Sequence, residues 1–474
     1  MSIFSPQRLL KHGSIFFPAL LAIMGLLIVV RWVSSGPNVL ISLRVPGRDG
    51  VPAETTSAAV KPTPGEPTAG PGRPSTITAA WPWFRGPDRD AINKEKNRLA
   101  RSWPAAGPKR LWTVPLGEGY ASAAVQGGRV YVLDYDPDHS ADTLRCLSLD
   151  DGREIWRNGY PVMIAHNHGM SRSIPAVAGD CVITMGPKCQ LACWDAATGK
   201  SRWLIDLVLE YGATVPPWYA AQCPFIDTKN DHLIVAPGGK ALVIAIDYHT
   251  GKVLWQSPNP RNWAMTHVSI VPMEFAGRRM YVYCGKGGVA GIAADNGELL
   301  WDSDEWQIAM ATCPSPVVVG EGRIFFCGGY NSGGLMLQLK QERGRMVAQP
   351  VFRLAARQFG SEQQTPVLWQ QRLYAVRQKD QQLVCLDLDG KELWNSGRDK
   401  YGSGPYLIAD GLIFVLDDNG VLSVADAAPA AYHRLARAQV IEDGSSSWGP
   451  MALVAGRLIV RDSTRMVCVD VAEH

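Results

Sequence analysis

The sequence predicts an all-β protein: an eight-bladed β-propeller of four-stranded blades, preceded by one transmembrane helix and a disordered linker. Three observations predict it. Short apolar runs alternate with turn-forming stretches through most of the 474 residues, which include 47 Gly and 33 Pro. An acidic residue, a turn glycine and a tryptophan recur together, as "DDGREIW" (150–156), "DAATGKSRW" (195–203), "DYHTGKVLW" (247–255), "DNGELLW" (295–301) and "DLDGKELW" (387–394). The aromatic position returns in steps of about 40 to 52 residues, the period of a propeller blade.

Residues 1–13 are a short tail carrying Arg8 and Lys11. Next comes "SIFFPALLAIMGLLIVVRWV", 14–33, whose first charge is Arg31. A helix of roughly 20 apolar residues crosses a hydrocarbon core, so this run reads as a transmembrane signal anchor. A cleaved signal peptide is the alternative, with "VSS" at 33–35 as its small residues. The run is long for a signal core, no A-x-A site follows, and no cysteine stands there for a lipid. The anchor is therefore taken as uncleaved, with the propeller on the extracytoplasmic, periplasmic side. Flanking charges barely discriminate orientation, since Arg44 and Arg48 follow the run as Arg8 and Lys11 precede it.

Residues 34–80 are rich in Pro, Gly, Ala and Thr, as in "VPAETTSAAVKPTPGEPTAGPGRPSTITAA" (51–80), and have little to bury. They are expected to form a disordered or extended tether, reaching tens of ångströms at roughly 5 Å times the square root of length. The folded part, 81–474, is expected to begin near Trp81.

Each repeat reads as a β-hairpin. In "LACWDAATGKSRWLIDL" the residues before Asp195 form a strand, Thr198 and Gly199 reverse the chain, and the strand resumes at "SRWLI". The glycine supplies a positive φ and the Asp carboxylate accepts from turn amides. The tryptophan then buries against the neighbouring unit while its indole N–H finds a carbonyl. Asp195, Gly199 and Trp203, with Asp247, Gly251 and Trp255 and with Trp156, Trp301 and Trp394, are the structural residues of this repeat. Strand pairs such as "DHLIVAPGGKALVIAID" (231–247), with an earlier run such as "SIVPMEFAG" (269–277), bring each unit to four strands. Two units are degenerate, with Phe352 and about Arg434 where the tryptophan belongs. The chain ends at "RMVCVDVAEH" one strand short, and "KRLWTVPL" (109–116) is unpartnered, so the N-terminal strand is expected to complete the last blade and close the ring.

The hairpin pattern resembles the tryptophan-docking repeat of the pyrroloquinoline-quinone (PQQ) type of β-propeller, shared by quinoprotein alcohol dehydrogenases and BamB-like outer-membrane assembly factors. The segments "WPWFRGPDRD" (81–90), "NHGMSRSIPAV" (167–177), "GPKCQLACWDAATG" (186–199), "TVPPWYAAQCPFID" (214–227) and "MYVYCGKGGVAGIAADNGELLW" (280–301) are similar to membrane-anchored bacterial PQQ-binding-like repeat proteins. The likeness covers nearly all of 81–474, and one fold of this kind hosts both enzymes and scaffolds. The quinoprotein enzymes carry a vicinal Cys-Cys disulfide, a Ca²⁺ site and often a haem motif. None of the ten cysteines here adjoins another and no C-x-x-C-H occurs, while scattered Ca²⁺ ligands stay open.

Other chemistry is weakly signalled. "GKGGVAG" (285–291) and "APGGKA" (236–241) lie between strands, where nucleotide loops require a helix, and read as hairpin turns. No G-x-S-x-G and no H-E-x-x-H occurs. Cys146, Cys193, Cys385 and Cys468 fall at one repeat position, filled by Ala245 in another unit, which points to packing. Cys189 and Cys193 have no histidine at zinc-ligand spacing, and His166 with His168 lacks a third ligand, so no metal site is expected. With a formal net charge of +3 and no basic tract, nucleic acid is not expected as a partner.

Residues just before each blade's first strand gather at one mouth of the central channel. Here they are polar and aromatic: "HNHGMSRS" (166–173), "PPWYAAQ" (216–222), "WAMTHVS" (263–269), "GSEQQT" (360–365) and "SSSWGP" (445–450). His168, Arg172, Trp218, Gln222, His267, Gln364 and Trp448 are the candidates for a pocket that takes a small ligand or a protein partner; satisfied loop groups are the bland alternative. No catalytic residue is assigned. The sequence favours a membrane-anchored scaffold or recognition module. A PQQ- and Ca²⁺-dependent alcohol or sugar dehydrogenase is the first alternative, and a carbohydrate- or small-ligand-binding propeller, using the faces of Trp218 and Trp448, is the second.

Overall fold

The computed structural model describes residues 18–31, 61–165, 169–307, 310–428 and 430–474. Two compact units divide the chain, Met1–Val45 and Pro46–His474. In the first, 18–31 is helical. Among the described residues no helix is long and apolar enough to cross a membrane. Residues 14–17 and 32–33 of the expected span, the tail 1–13 and 34–60 of the expected linker lie outside the described residues.

The second unit is a ring of eight antiparallel sheets in chain order: blade 1 (124–161), blade 2 (176–206), blade 3 (225–256), blade 4 (271–303), blade 5 (317–354), blade 6 (367–395), blade 7 (406–439) and blade 8 (452–470). Within each blade, sequential strands are neighbours. Blade 8 has three strands of its own, and Lys109–Pro115 pairs antiparallel with Arg465–Asp470 to supply the fourth. The first strand of blade 8 packs on that of blade 1, so the ring closes and no blade is left short.

Residues 61–80, expected to belong to a disordered or extended tether, run along the edge of blade 1. Thr68–Ala69 adds a fifth strand to the outer edge of blade 1, opposite Arg157 and Trp156. The amides of Gly70 and Gly72 donate to Ile155 and Glu154 carbonyls at 2.8 Å. A Cβ on Gly70 would lie 2.1 Å from the Glu154 carbonyl oxygen, so close backbone pairing holds its first part, while Ser75, Ile77 and Ala79 bury against the blades further on.

The repeat is built as its chemistry requires. Asp195 Oδ1 accepts from the amides of Ala197 and Thr198 and from the Thr198 hydroxyl at 2.8–3.1 Å, and Asp247 receives the equivalent bonds from His249 and Thr250. The docked indoles donate to the next blade's turn: Trp112 to Leu149 O (3.0 Å), Trp156 to Ala196 O (3.3 Å), Trp203 to Tyr248 O (2.9 Å) and Trp394 to Ala428 O (2.9 Å). Two tryptophans differ. Trp255 Nε1 has no acceptor, although its ring lies on Tyr281 of blade 4, and Trp301 Nε1 faces Met280 Sδ within its own blade at 3.3 Å. The turn glycine does more than bend the chain, because Gly152, Gly199, Gly251 and Gly297 sit flat beneath Trp112, Trp156, Trp203 and Trp255, where a Cβ would come within 2.5–3.0 Å of the indole.

Every blade also carries a bulge in its outer strand, one residue before the tryptophan position. The register shows that Ala436, not Arg434, occupies that position in blade 7, opposite Val424. Cys146, Cys193, Cys385 and Cys468 lie directly across from Trp156, Trp203, Trp394 and Trp112. All ten cysteines are free thiols, as a packing role requires. Cores form between adjacent sheets, for example Tyr131 and Trp156 of blade 1 with Val182 and Trp194 of blade 2.

Candidate functional site

The segment 81–93 ties to the innermost strands of five blades and to the residues that enter a sixth. Trp81 pairs with Val125 of blade 1 by two hydrogen bonds of 2.8 Å, and Pro82 O accepts from Val177 N of blade 2 at 2.8 Å. The Arg85 guanidinium donates to Thr365 O (2.6 Å) and Pro366 O (3.0 Å), entering blade 6. Arg89 donates to Ile226 O of blade 3, with its guanidinium 4.2 Å from the ring centroids of both Trp83 and Phe225. Ile92–Asn93 lies parallel to Tyr406–Ala409 of blade 7, and Asn93 Nδ2 donates to Leu453 O of blade 8 at 2.8 Å. Burial draws both guanidiniums down to about 10, which leaves them charged at neutral pH. Arg85, Arg89 and Ala91 all have φ of 60° to 64°, the strain of a segment turned tightly inside a ring.

This plug leaves space on two sides. A chamber of about 290 Å³, walled by Trp83, Phe225, Ile270, Val317 and Leu368, lies along it. The second space is a cup of about 520 Å³ at the channel mouth. Phe84 lines both and is common to the chamber and the cup.

Five of the seven residues singled out at the mouth line the cup: Arg172, Trp218, His267, Gln364 and Trp448. Gln222 does not, being fully buried, with its amide exchanging hydrogen bonds with the backbone of Ala236 (2.8 and 3.3 Å) to clamp blade 3. His168 lies outside the described residues. Two aromatic pairs stand in the wall: Trp218 stacks with Tyr330 (centroids 6.3 Å, 6° between planes), and Trp448 meets Tyr120 at 5.1 Å. Trp448 is oriented by its indole N–H, which donates to Asp418 Oδ1 at 2.7 Å, and its carbonyl accepts from Gln364 Nε2 at 2.9 Å. Trp218, Tyr219, Tyr330 and Asn331 all have positive φ (54° to 73°), so the rim holds these residues in a strained backbone.

Charge in the cup is defined by Arg172, 5.1 Å above the Tyr120 ring, and Glu362. Burial lowers the Arg172 pKa from its usual value. His267 Nε2 lies 2.7 Å from Pro217 O and donates to it, leaving Nδ1 as a bare, buried acceptor without a partner. Burial first, and Arg172 second, push this imidazole down to about 4, so it is neutral. The two thiols lining the cup, Cys223 and Cys313, are raised by burial to about 11 and 12 and are poor nucleophiles. For the Ca²⁺ of a quinone site the donors fit badly. A single carboxylate, Glu362, lines the described cup beside a guanidinium, whereas Ca²⁺ takes six to eight oxygens.

Phe84, Tyr120, Tyr330, Glu362 and Cys313 were not singled out by the sequence. Tyr120 in "GEGYAS" and Glu362 in "GSEQQT" obey the same positional rule as the others, preceding a first strand. Tyr330 instead comes from the turn between the second and third strands of blade 5, and Phe84 from the plug.

A family model described as outer membrane protein assembly factor BamB matches residues 140–389 and 353–473. No curated protein matches in sequence. Among solved structures, BamB from Moraxella catarrhalis is 14% identical, covering 76% of this chain and 99% of its own, with a TM-score of 0.53. A europium-containing methanol dehydrogenase is 14% identical, covering 82% and 89%, with a TM-score of 0.57. The computationally designed protein Ika8 is 9% identical, covering 76% and 99%, with a TM-score of 0.51. At these identities the structural likeness establishes the fold alone.

Proposed function

The chain belongs to the BamB-type, PQQ-like propeller family, and from that premise we propose that it is a recognition module, held at the membrane by the apolar segment 14–33 with its propeller on the extracytoplasmic side. The channel-mouth cup is its recognition site. One observation carries the reading: Trp218, Tyr330, Tyr120 and Trp448 wall a cup whose polar groups include Arg172, a neutral His267, Gln364 and Glu362. Aromatic faces with a cation and a bare acceptor suit a polar or acidic group presented by a partner, such as a sugar or an acidic side chain. The 20-residue apolar run supports the anchor, and "PQQ-like" describes the scaffold on which this cup is mounted.

The fold likeness to a methanol dehydrogenase motivates the competing reading, a PQQ-dependent oxidoreductase. One experiment separates them. The full chain in detergent is titrated calorimetrically with PQQ, with and without Ca²⁺, and in parallel carries a photo-crosslinking residue at Gln363 of the cup or at the remote Arg343. Discrete crosslinks from position 363 that vanish on Arg172→Ala, with no Ca²⁺-dependent heat from PQQ, support recognition. Saturable PQQ binding that needs Ca²⁺ and fails in Arg172→Ala would replace this reading with the oxidoreductase.

A further inference from the structure

A second cluster lies away from the cup, at the seam between blades 2 and 3. Asp180 ends the turn before the second strand of blade 2, Cys181 opens that strand, and His249 stands in the last hairpin turn of blade 3. One ligand atom from each lies within 4.8 Å of the others. Cys181 Sγ is 3.5 Å from Asp180 Oδ1 and 3.7 Å from His249 Nδ1. Around a tetrahedral Zn²⁺, with Zn–S of about 2.3 Å and Zn–N or Zn–O of about 2.0 Å, neighbouring ligand atoms are about 3.5 Å apart. Two of the three donor separations thus already match edges of such a tetrahedron, and the third lies within 4.8 Å.

Their surroundings agree. The other ring nitrogen of His249, Nε2, faces Asp231 Oδ2 at 3.9 Å, and Asp231 is held by the Tyr248 hydroxyl at 2.6 Å. A carboxylate behind a ligating imidazole is the usual way its orientation and basicity are set. Arg202 Nη1 donates to Cys181 Sγ at 3.1 Å, a bond that favours the thiolate, while its Nη2 spans Asp180 and Asp195 at 2.6 and 2.7 Å. With Cys181 as a thiolate, three negative groups (Asp180, Cys181, Asp195) meet one guanidinium, and Asp231 adds a fourth behind His249, so a divalent cation lowers the local charge imbalance. Asp180 and His249 are solvent-facing at 65% and 47% exposure, which gives a metal its entry.

We infer that Asp180, Cys181 and His249 bind one zinc-type divalent cation, a clip joining blade 2 to blade 3 beside the Trp203 dock. The Cys181 thiol gives up its proton on binding, and water or a rotated neighbour takes the fourth position. A soft thiolate, an imidazole and a carboxylate in tetrahedral array select Zn²⁺ over Ca²⁺ or Mg²⁺. Because the metal binds only the folded seam, it raises the melting midpoint, and the rise continues with the logarithm of free metal above its dissociation constant.

The test uses the full chain in detergent, stripped with chelator and kept reduced, titrated with Co²⁺ and followed by optical absorption. The expected result is a thiolate-to-cobalt charge-transfer band with tetrahedral d–d bands, saturating at one equivalent and displaced by Zn²⁺. Cys181→Ser abolishes the charge-transfer band. His249→Ala weakens affinity at least tenfold, and as a largely exposed turn residue it tests the site even where Cys181→Ser fails to fold. Absence of any thiolate band at one equivalent, or a band undiminished in both variants, overturns the inference.

Discussion

Gly199→Ala tests whether the turn glycine is the seat of a docked tryptophan or merely a bend. Gly199 has φ of 75°, and a Cβ there would lie 2.5, 2.7 and 2.9 Å from Cε3, Cδ2 and Cζ3 of Trp156. Carbon atoms pack best at roughly 3.5–4.0 Å, so the indole must retreat by about 1 Å. Trp156 is 3% exposed and donates to Ala196 O, leaving it little room to move. The left-handed backbone costs about 1–2 kcal/mol for a residue with a Cβ, and overpacking adds about 1–3 kcal/mol. The expected loss is therefore about 2–5 kcal/mol. Gly179→Ala is the control, since Gly179 has φ of 55° but nothing within 4 Å of its Cβ position, and should lose only the backbone part, about 1–2 kcal/mol. Both are read from denaturant midpoints, with unfolding followed by tryptophan fluorescence and circular dichroism. Repeating Gly199→Ala in a Trp156→Ala background removes the clash and should bring its cost down to that of the control. Equal losses for the two glycines in the native background would refute the seat.

Three further outcomes are expected. Trp203→Phe should cost about 1 kcal/mol more than Trp255→Phe, because only the Trp203 indole has a carbonyl acceptor to lose; indistinguishable chemical-denaturation curves would remove the hydrogen bond from the account. His267 is held neutral with a folded pKa of about 4, below the unfolded value of about 6.5, so the unfolded chain binds the proton first as pH falls. The stability it supports is whole above pH 6.5 and is lost between about 6.5 and 4, by about 2–3 kcal/mol, a slope that His267→Gln should lack when both are unfolded at pH 7 and 4.5. Arg85→Ala leaves the carbonyls of Thr365 and Pro366 without their donor and should loosen the plug, so that limited proteolysis cuts within 81–93 while the blades stay intact; an uncut plug would mean that the other ties suffice.

The ring was legible because a single physical rule repeats. Most blades need a tight turn, a flat glycine and a large aromatic to cover it, and those residue types announce themselves. Where the aromatic is replaced, the rule falls silent, which is why the sequence points only to about Arg434 where Ala436 holds the place: an alanine at the docking position carries no signature. The outer-strand bulge was invisible for a related reason, since the extra residue varies from Leu254 to Val351 to Arg202 and only its place in the ladder is fixed. Residues 61–80 misled by composition. Low hydrophobicity argues that a segment has nothing to bury, but Gly70 and Gly72 are held through their own backbone, and pairing of that kind leaves no apolar trace.

The same contrast separates the two functional clusters. The cup draws about one residue from each blade at a fixed place before the first strand, so a periodic rule located Arg172, Trp218, His267, Gln364 and Trp448 without knowing what they do. Phe84 escaped because the plug belongs to no repeat. Cys181 and His249 escaped for the opposite reason: they are 68 positions apart on successive blades, and each also has an ordinary place in its own repeat, a strand start and a hairpin turn. In a propeller the repeat fixes which positions meet across a seam, so pairs of reactive side chains one blade apart are the place to look for chemistry that linear spacing hides. The Asp180, Cys181 and His249 grouping is such a pair of positions with three donors instead of packing residues, and it arises where the Trp203 dock has already brought the two blades into register.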